Sequence, residues 1–408
     1  MGSIGDQLQW IDAQRDRMVG LVAAWSRINT YTHNLPGIQR LAADVAAAFK
    51  PLGGECRRID LSPYRQVDDA GRIVEQHVAP AISILIRPDA PRRILLSIHL
   101  DTVYPPAAGD PDEHHIEALD KSRLRGPGVT DAKGGLAVML IALEALERSG
   151  LADNLGLHIL LNTDEEIASP ASGDLLMRAA RECDLGLIYE PTLEDGSFVA
   201  ARKGSGNFTL TVHGRSAHAG RDFAHGRNAA AALGRIITQL AGLTDIPAGI
   251  TVNIGQLLGG GPVNVVPDLA LCRFNVRYLE PKQQSQITTA MRQIMNDANH
   301  HGITTALHGS FAAPPKPITP AYQHMLDALA DCGAELDIPV SFRDTGGVCD
   351  GNRLAAAGLV NLDTLGPRGG AIHSDDEYLE CDSLTERARL SALLMMRLAT
   401  GSLQFPDV

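Results

Sequence analysis

The chain has 408 residues, more than one hydrophobic core usually serves, so two domains are expected. Hydrophobic residues at 44% and charged residues at 21% exclude a disordered chain. A formal net charge of -12 without a Lys/Arg run excludes nucleic acid as a partner, because phosphate recognition needs a basic face.

The opening MGSIGDQLQWIDAQRDR has neither a basic, apolar leader nor a myristoylation pattern, which Asp6 breaks. No apolar run nears the ~20 residues that span a bilayer, so no membrane partner is expected. Six scattered cysteines without CxxC pairs read as reduced thiols of a soluble, cytoplasmic protein.

Helical periodicity runs from Leu8 to Ile28 and again from Gly37 to Phe49. Strands follow at AISILIRPD and RRILLSIHLD, then a long helix, DAKGGLAVMLIALEALERSG, stopped by Gly150. LGLHILLNT reads as a strand, ASGDLLMRAAREC as a helix and DLGLIY as a strand ending at Glu190. Apolar strands alternating with helices predict an α/β fold with a mostly parallel sheet. From Gly204 to Phe311 the order becomes β-α-β-β-α-β, the ferredoxin-like split βαβ unit. The α/β pattern resumes after AAPPKPITP. Residues 1–203 and 312–408 are therefore expected to form one domain, interrupted by a second over 204–311.

In such sheets ligands gather at the carboxyl ends of the strands. His99 and Asp101 fall there, as do Asp164, Glu165, Glu166 and Glu190. Asp131 opens a helix and His373 follows the last strand. Singly, each has an ordinary reading: a helix cap for Asp131, a turn for Glu190-Pro191, a surface residue for His373. Together, two histidines, three separated carboxylates and a spare one suit a two-metal hydrolytic site. Cations would also offset the repulsion among the adjacent acids of NTDEEIAS.

The ordered set SIHLDTVYP (97–105), GPGVTDAKGG (126–135), NTDEEIAS (162–169), YEPT (189–192), GRSAHAG (214–220), NVVPD (264–268) with RFNVR (273–277), TGGVCDGN (345–352) and HSDDEYL (373–379) resembles a known family. It is that of the co-catalytic zinc peptidases and deacylases, including glutamate carboxypeptidase, aminoacylase, acetylornithine deacetylase and succinyl-diaminopimelate desuccinylase. The resemblance implies a zinc-peptidase catalytic domain interrupted by a lid and dimerisation domain. It implies two Zn2+ per subunit, with Co2+ or Mn2+ as substitutes. His99 and Glu190 would hold one ion, Glu166 and His373 the other, and Asp131 both. Glu165 would be the general base and Asp101 the acid that orients His99. A cis peptide is implied at Asp131-Ala132.

The resemblance further implies that His218 acts on the partner subunit's reaction in a homodimer formed through the lids. Asn264 and Arg277 would contact substrate, Arg277 at its carboxylate, and Gly346 and Gly347 would line the pocket. Ser310 stands where glutamate carboxypeptidase has a carboxylate-reading Arg, and Arg202 is the candidate replacement. Cys349 reads as a small buried residue, and His114-His115 as an exposed loop. The implied reaction is hydrolysis of an N-acyl amino acid or a peptide's C-terminal residue. The alternatives are a non-catalytic metal-binding protein that kept the fold, and a metallo-aminopeptidase or dipeptidase of the same family.

Overall fold

A computed structural model describes residues 3–106 and 113–406. Its central sheet runs Glu55–Ile59, Ala81–Ile86, Leu155–Asn162, Arg92–His99, Leu185–Ile188, Asn361–Leu362. The last four strands pair in parallel, and the first two pair antiparallel. The expected parallel character thus holds in the half that carries the polar strand ends, and the other half makes the sheet mixed. Every residue of Leu155–Asn162 is buried, which is why its sequence is apolar without alternation.

Helices Lys133–Ser149 and Cys381–Thr400 pack with the N-terminal helices on one face of the sheet. Gly173–Arg181 and Asp350–Ala356 cover the other through Leu176, Ala179 and Leu354. The single helix expected over Leu8–Ile28 is two, Ile4–Asp12 and Arg15–Arg27. Buried Ile11 and Met18 lie one heptad apart across the break, so the apolar period continues through it. Among the described residues, no helix is long and apolar enough to cross a membrane. The six cysteines form no disulfide, and four of them are buried.

Residues 204–313 build a second sheet with its own core. Its order is Thr251–Gly259, Leu269–Tyr278, Gly204–His213, Thr304–Ala313, antiparallel throughout. Phe208, Leu210 and Val212 pack on Ile236 and Ile287 of helices Ala229–Ala241 and Pro281–Ala298. The alternate residues Asn207, Thr209, Arg273 and Asn275 stand on the helix-free face. The β-α-β-β-α-β order is the expected one, with the last strand ending at Ala313 rather than 311.

The two chain crossings into this second domain are tied together. Arg202 and Lys316 exchange two backbone hydrogen bonds of 3.0 Å. The Arg202 guanidinium donates from Nε and Nη2 to both oxygens of Asp363 at 2.9 Å, and Lys316 Nζ donates at 2.7 Å. All three side chains are buried. Asn352 Nδ2 adds bonds to the carbonyls of Lys203 and Pro314. Arg202, the candidate reader of a substrate carboxylate, donates here to Asp363 and to the Gly347 carbonyl.

Burial pushes the Asp363 carboxyl up, but Arg202 and Lys316 outweigh it and hold it at about 2. Its folded value is below the ordinary ~3.9, so its contribution is complete above about pH 4 and fades as pH falls toward about 2. Asp363→Asn leaves two buried cations without their carboxylate and should cost about 3–5 kcal/mol near neutral pH. Chemical denaturation checks this, and the difference between variant and parent should shrink below pH 3.

Candidate functional site

The three central parallel strands end on the same side of the sheet. Arg92–His99, flanked by the other two, ends in His99, while Leu155–Asn162 leads to the 3-10 turn Glu165–Ile167 and Leu185–Ile188 leads to Glu190. Helix Lys133–Ser149 starts two residues after Asp131, whose peptide to the N-cap Ala132 is cis, as the resemblance implied. A Cβ on Gly135 would lie 2.0 Å from the Tyr189 carbonyl oxygen. Only glycine lets this helix start so close to the Glu190 segment, which brings Asp131 beside Glu190.

His99 Nε2 lies 3.0 Å from Asp131 Oδ1 and 3.6 Å from Glu190 Oε2. His373 Nε2 lies 3.4 Å from Asp131 Oδ2 and 3.3 Å from Glu166 Oε2. The two oxygens of Asp131 therefore face two different histidines, each with its own glutamate. Donor atoms 2.0–2.2 Å from a tetrahedral zinc lie about 3.3–3.6 Å apart, close to most of these separations. Ligand atoms of His99, Asp131 and Glu166 all fall within 4.8 Å of one another. Glu166 Oε1 is buried without a hydrogen-bond partner among the described residues, as a cation-seeking oxygen would be. The donor set fits divalent metal.

The electrostatics are those of carboxylates sharing too little positive charge. Burial, then Asp131, raises Glu166 to about 7. Burial, then the charge of Glu190, pushes Glu165 well above the carboxylate range. Bonds to Asp131 and Glu166 raise His373 to about 10. Burial would lower His99, but Glu190, Asp101 and Asp131 together hold it well above its usual value. Burial alone would raise Asp131, yet the two histidines keep it strongly depressed. Asp131 is the carboxylate that both histidines face.

The adjacent acids separate because the strand has already ended. Glu165 and Glu166 lie in the 3-10 turn, and Asp164 turns away to accept from the Ser172 hydroxyl and from Ala171 and Ser172 N–H. Asp101 does more than expected. His99 Nδ1 is 3.0 Å from its backbone carbonyl and 3.4 Å from its carboxylate. The carboxylate also accepts from the Glu165 and Glu166 N–H groups, each at 3.2 Å, and from the Thr32 hydroxyl at 2.8 Å. One buried acid thereby anchors both the first histidine and the Glu165–Glu166 turn.

Other expected residues sit apart. His218 is exposed on the lid, its Nδ1 accepting from Gly220 and Arg221 N–H at 3.1 Å, which leaves the ring hydrogen on Nε2. Among the described residues it touches none of the expected ligands. Exposed Asn264 neighbours it, its carbonyl accepting from Ala219 N–H. Arg277 is half-buried and donates to Asn275 and to the Gly346 carbonyl. A Cβ on Gly346 or Gly347 would meet no protein atom closer than 3.5 Å. Cys349 is buried. His115 is exposed, but His114 is only partly so, its ring edge-on to Tyr104. Ser310 faces a cavity of about 1070 Å3 between the lid's helix-free face and the larger domain, which reaches Ile167 beside Glu166.

Two residues of the site escaped the sequence reading. Glu377, inside HSDDEYL, is fully buried against the loop that carries Asp131. Lys133, inside DAKGG, is buried with Nζ on Thr30 at 2.7 Å and pushed down to about 8 by burial. Both lay within quoted motifs, and only their burial separates them from solvated neighbours.

A model of peptidase family M20/M25/M40 matches residues 95–397. Carboxypeptidase G2 of Pseudomonas sp. (strain RS-16) is 27% identical over 370 residues, covering 88% of this chain and 86% of its own. Succinyl-diaminopimelate desuccinylase of Verminephrobacter eiseniae is 25% identical over 360 residues, covering 82% and 86%. Among solved structures, a dinuclear metal binding peptidase of the same family from Bacillus subtilis shares the fold with a TM-score of 0.64 at 15% identity, covering 96% of this chain and 99% of its own.

Divalent zinc should stabilise the fold by about 2.7 kcal/mol at a hundredfold excess over Kd for one site, read as a rise in melting temperature. Asp131→Ala removes the acceptor common to both histidines and should abolish most of that rise. A calorimetric titration of parent and variant measures both.

Proposed function

We propose a function from one premise: this chain belongs to peptidase family M20/M25/M40. It is a hydrolase of the metallopeptidase, carboxypeptidase and deacylase kind, acting on peptides or acylated amino acids. The finer reading is a di-zinc amidohydrolase that removes a carboxylate-bearing amino acid from its acyl group. The observation that carries it is the position of Asp131, one oxygen toward His99 with Glu190 and the other toward His373 with Glu166. The Bacillus subtilis relative is described as a dinuclear metal binding peptidase, which supports two ions. When bound, zinc supplies Lewis acidity toward the amide carbonyl and makes a water molecule a stronger acid.

The chain's own groups divide the remaining work. Glu165 stands beside Glu166, and burial and charge set its proton affinity high. Such a carboxylate takes a proton from the attacking water and returns it to the leaving amine. Asp101 fixes the turn that carries it. Arg277 retains donors beyond its bonds to Asn275 and Gly346, enough to hold a substrate carboxylate. That favours release of a C-terminal or N-acylated amino acid over aminopeptidase action. The open space beside Gly346 and Gly347 supports a pocket there.

His218 completes the reading in trans. Its free Nε2–H suits an oxyanion donor, and it lies on the lid away from its own chain's acids. The lid's edge strand Thr251–Gly259 exposes Leu257 and offers an unpaired backbone edge, which supports a homodimer through this domain.

Glu165→Gln should lower kcat by about 10²–10⁴-fold on N-acyl amino acids while zinc content stays that of the parent. Turnover retained in that variant sinks the assignment of the base. Mixing Glu165→Gln with His218→Ala should restore activity that neither has alone, since one site of each mixed dimer is then complete. No recovery after subunit exchange removes the role in trans.

A further inference from the structure

Glu377 is fully buried, yet its carboxylate contacts no metal-ligating atom. Oε1 accepts from the N–H groups of Thr130 and Asp131 at 2.8 and 2.9 Å. Oε2 accepts from Gly128 N–H at 2.9 Å and from the Tyr104 hydroxyl at 2.7 Å. Its own carbonyl accepts from Gly126 N–H at 3.0 Å. One residue thus grips the loop 126–131 at four backbone N–H groups, the last of them belonging to Asp131.

The residue also lies where separate segments meet. It follows His373 by one short turn, within which Glu377 N–H donates to the Ser374 carbonyl. Tyr104, from the segment after His99 and Asp101, donates toward both Glu377 and the Ser374 carbonyl. Tyr378, next in the chain, accepts from the Thr130 hydroxyl and pairs with Arg125. The stretches bearing His99, Asp131 and His373 therefore converge on this carboxylate, although they are far apart in sequence.

Asp131 can present one oxygen to each histidine only if its main chain is held in one orientation. A carboxylate that accepts from N–H groups on both sides of that turn supplies the hold, with charge-assisted bonds in a place water does not reach. We propose that Glu377 is the positioning residue of the paired-cation centre, fixing the Asp131 backbone so that its two oxygens serve two ions together. This rests on the reading of Asp131 as a ligand shared by two cations. Glu377 never touches substrate or the reacting atoms, and acts through Asp131 alone.

A glutamine at this position keeps the shape but must aim its amide nitrogen either at Thr130 and Asp131 N–H or at Gly128 N–H. Either orientation sets donor against donor. Glu377→Gln should bind the weaker of its two zinc ions about 10–100-fold less tightly, read by competition with a chromophoric chelator. Its kcat should fall at limiting zinc and recover with excess zinc, while KM stays that of the parent. Tyr104→Phe removes one hydroxyl and keeps every N–H bond, so a loss of a few-fold is expected, and it stands in if Glu377→Gln fails to fold. Asp363→Asn serves as the control, destabilised but with parental zinc affinity. Parental zinc affinity in Glu377→Gln, or in Tyr104→Phe if the first variant does not fold, overturns the proposal. A parent that binds no pair of zinc ions overturns instead the reading of the function, and does so before any variant is made.

Discussion

The structure turns on a concentration of negative charge at the carboxyl ends of three neighbouring parallel strands. Asp131, Glu165, Glu166 and Glu190 converge there, and His99 and His373 stand directly against Asp131, Glu166 and Glu190. Burial first, and then the charge of neighbouring carboxylates, raises the proton affinities of Glu165 and Glu166. Divalent cations offset that charge. The three strand ends thus bring donors that suit a divalent cation into one place.

Around this centre the supporting shell does the geometric work. Asp101 ties the Glu165–Glu166 turn to His99, and Glu377 ties the Asp131 loop to the His373 segment. Both are fully buried acids whose oxygens are occupied by N–H and hydroxyl donors rather than by ligating atoms. Gly135 contributes by lacking a side chain, since any Cβ there would collide with the Tyr189 carbonyl and push the Asp131 helix off the sheet.

The second domain follows a different physical rule. Its core is independent, but its two crossings are stapled by Arg202, Lys316 and Asp363, a buried cluster with more positive than negative charge. A buried charge network contributes little net stability and much geometric definition. It fixes where the lid leaves the larger domain, and so which face of the second sheet overlooks the cleft. It also explains why Arg202 could not be assigned from sequence: a basic pair at a domain boundary reads alike whether it meets a substrate or an internal aspartate.

Sequence alone determined what is local or periodic. The buried run Leu155–Asn162, the β-α-β-β-α-β order of the insert and the ordered motifs around His99, Asp131, Glu166, Glu190 and His373 depend on spacing that any reader of the chain can follow. It missed the break between Asp12 and Arg15 because the apolar heptad runs through it, and it did not show that Arg202 pairs with Asp363. Tertiary structure alone decided which polar residues are buried and what they face. Glu377 and Asp376 are neighbours of the same kind in sequence, yet one is enclosed by four donors while the other is exposed. Burial and partner choice arise from segments hundreds of residues apart meeting in space, and no local pattern encodes that meeting.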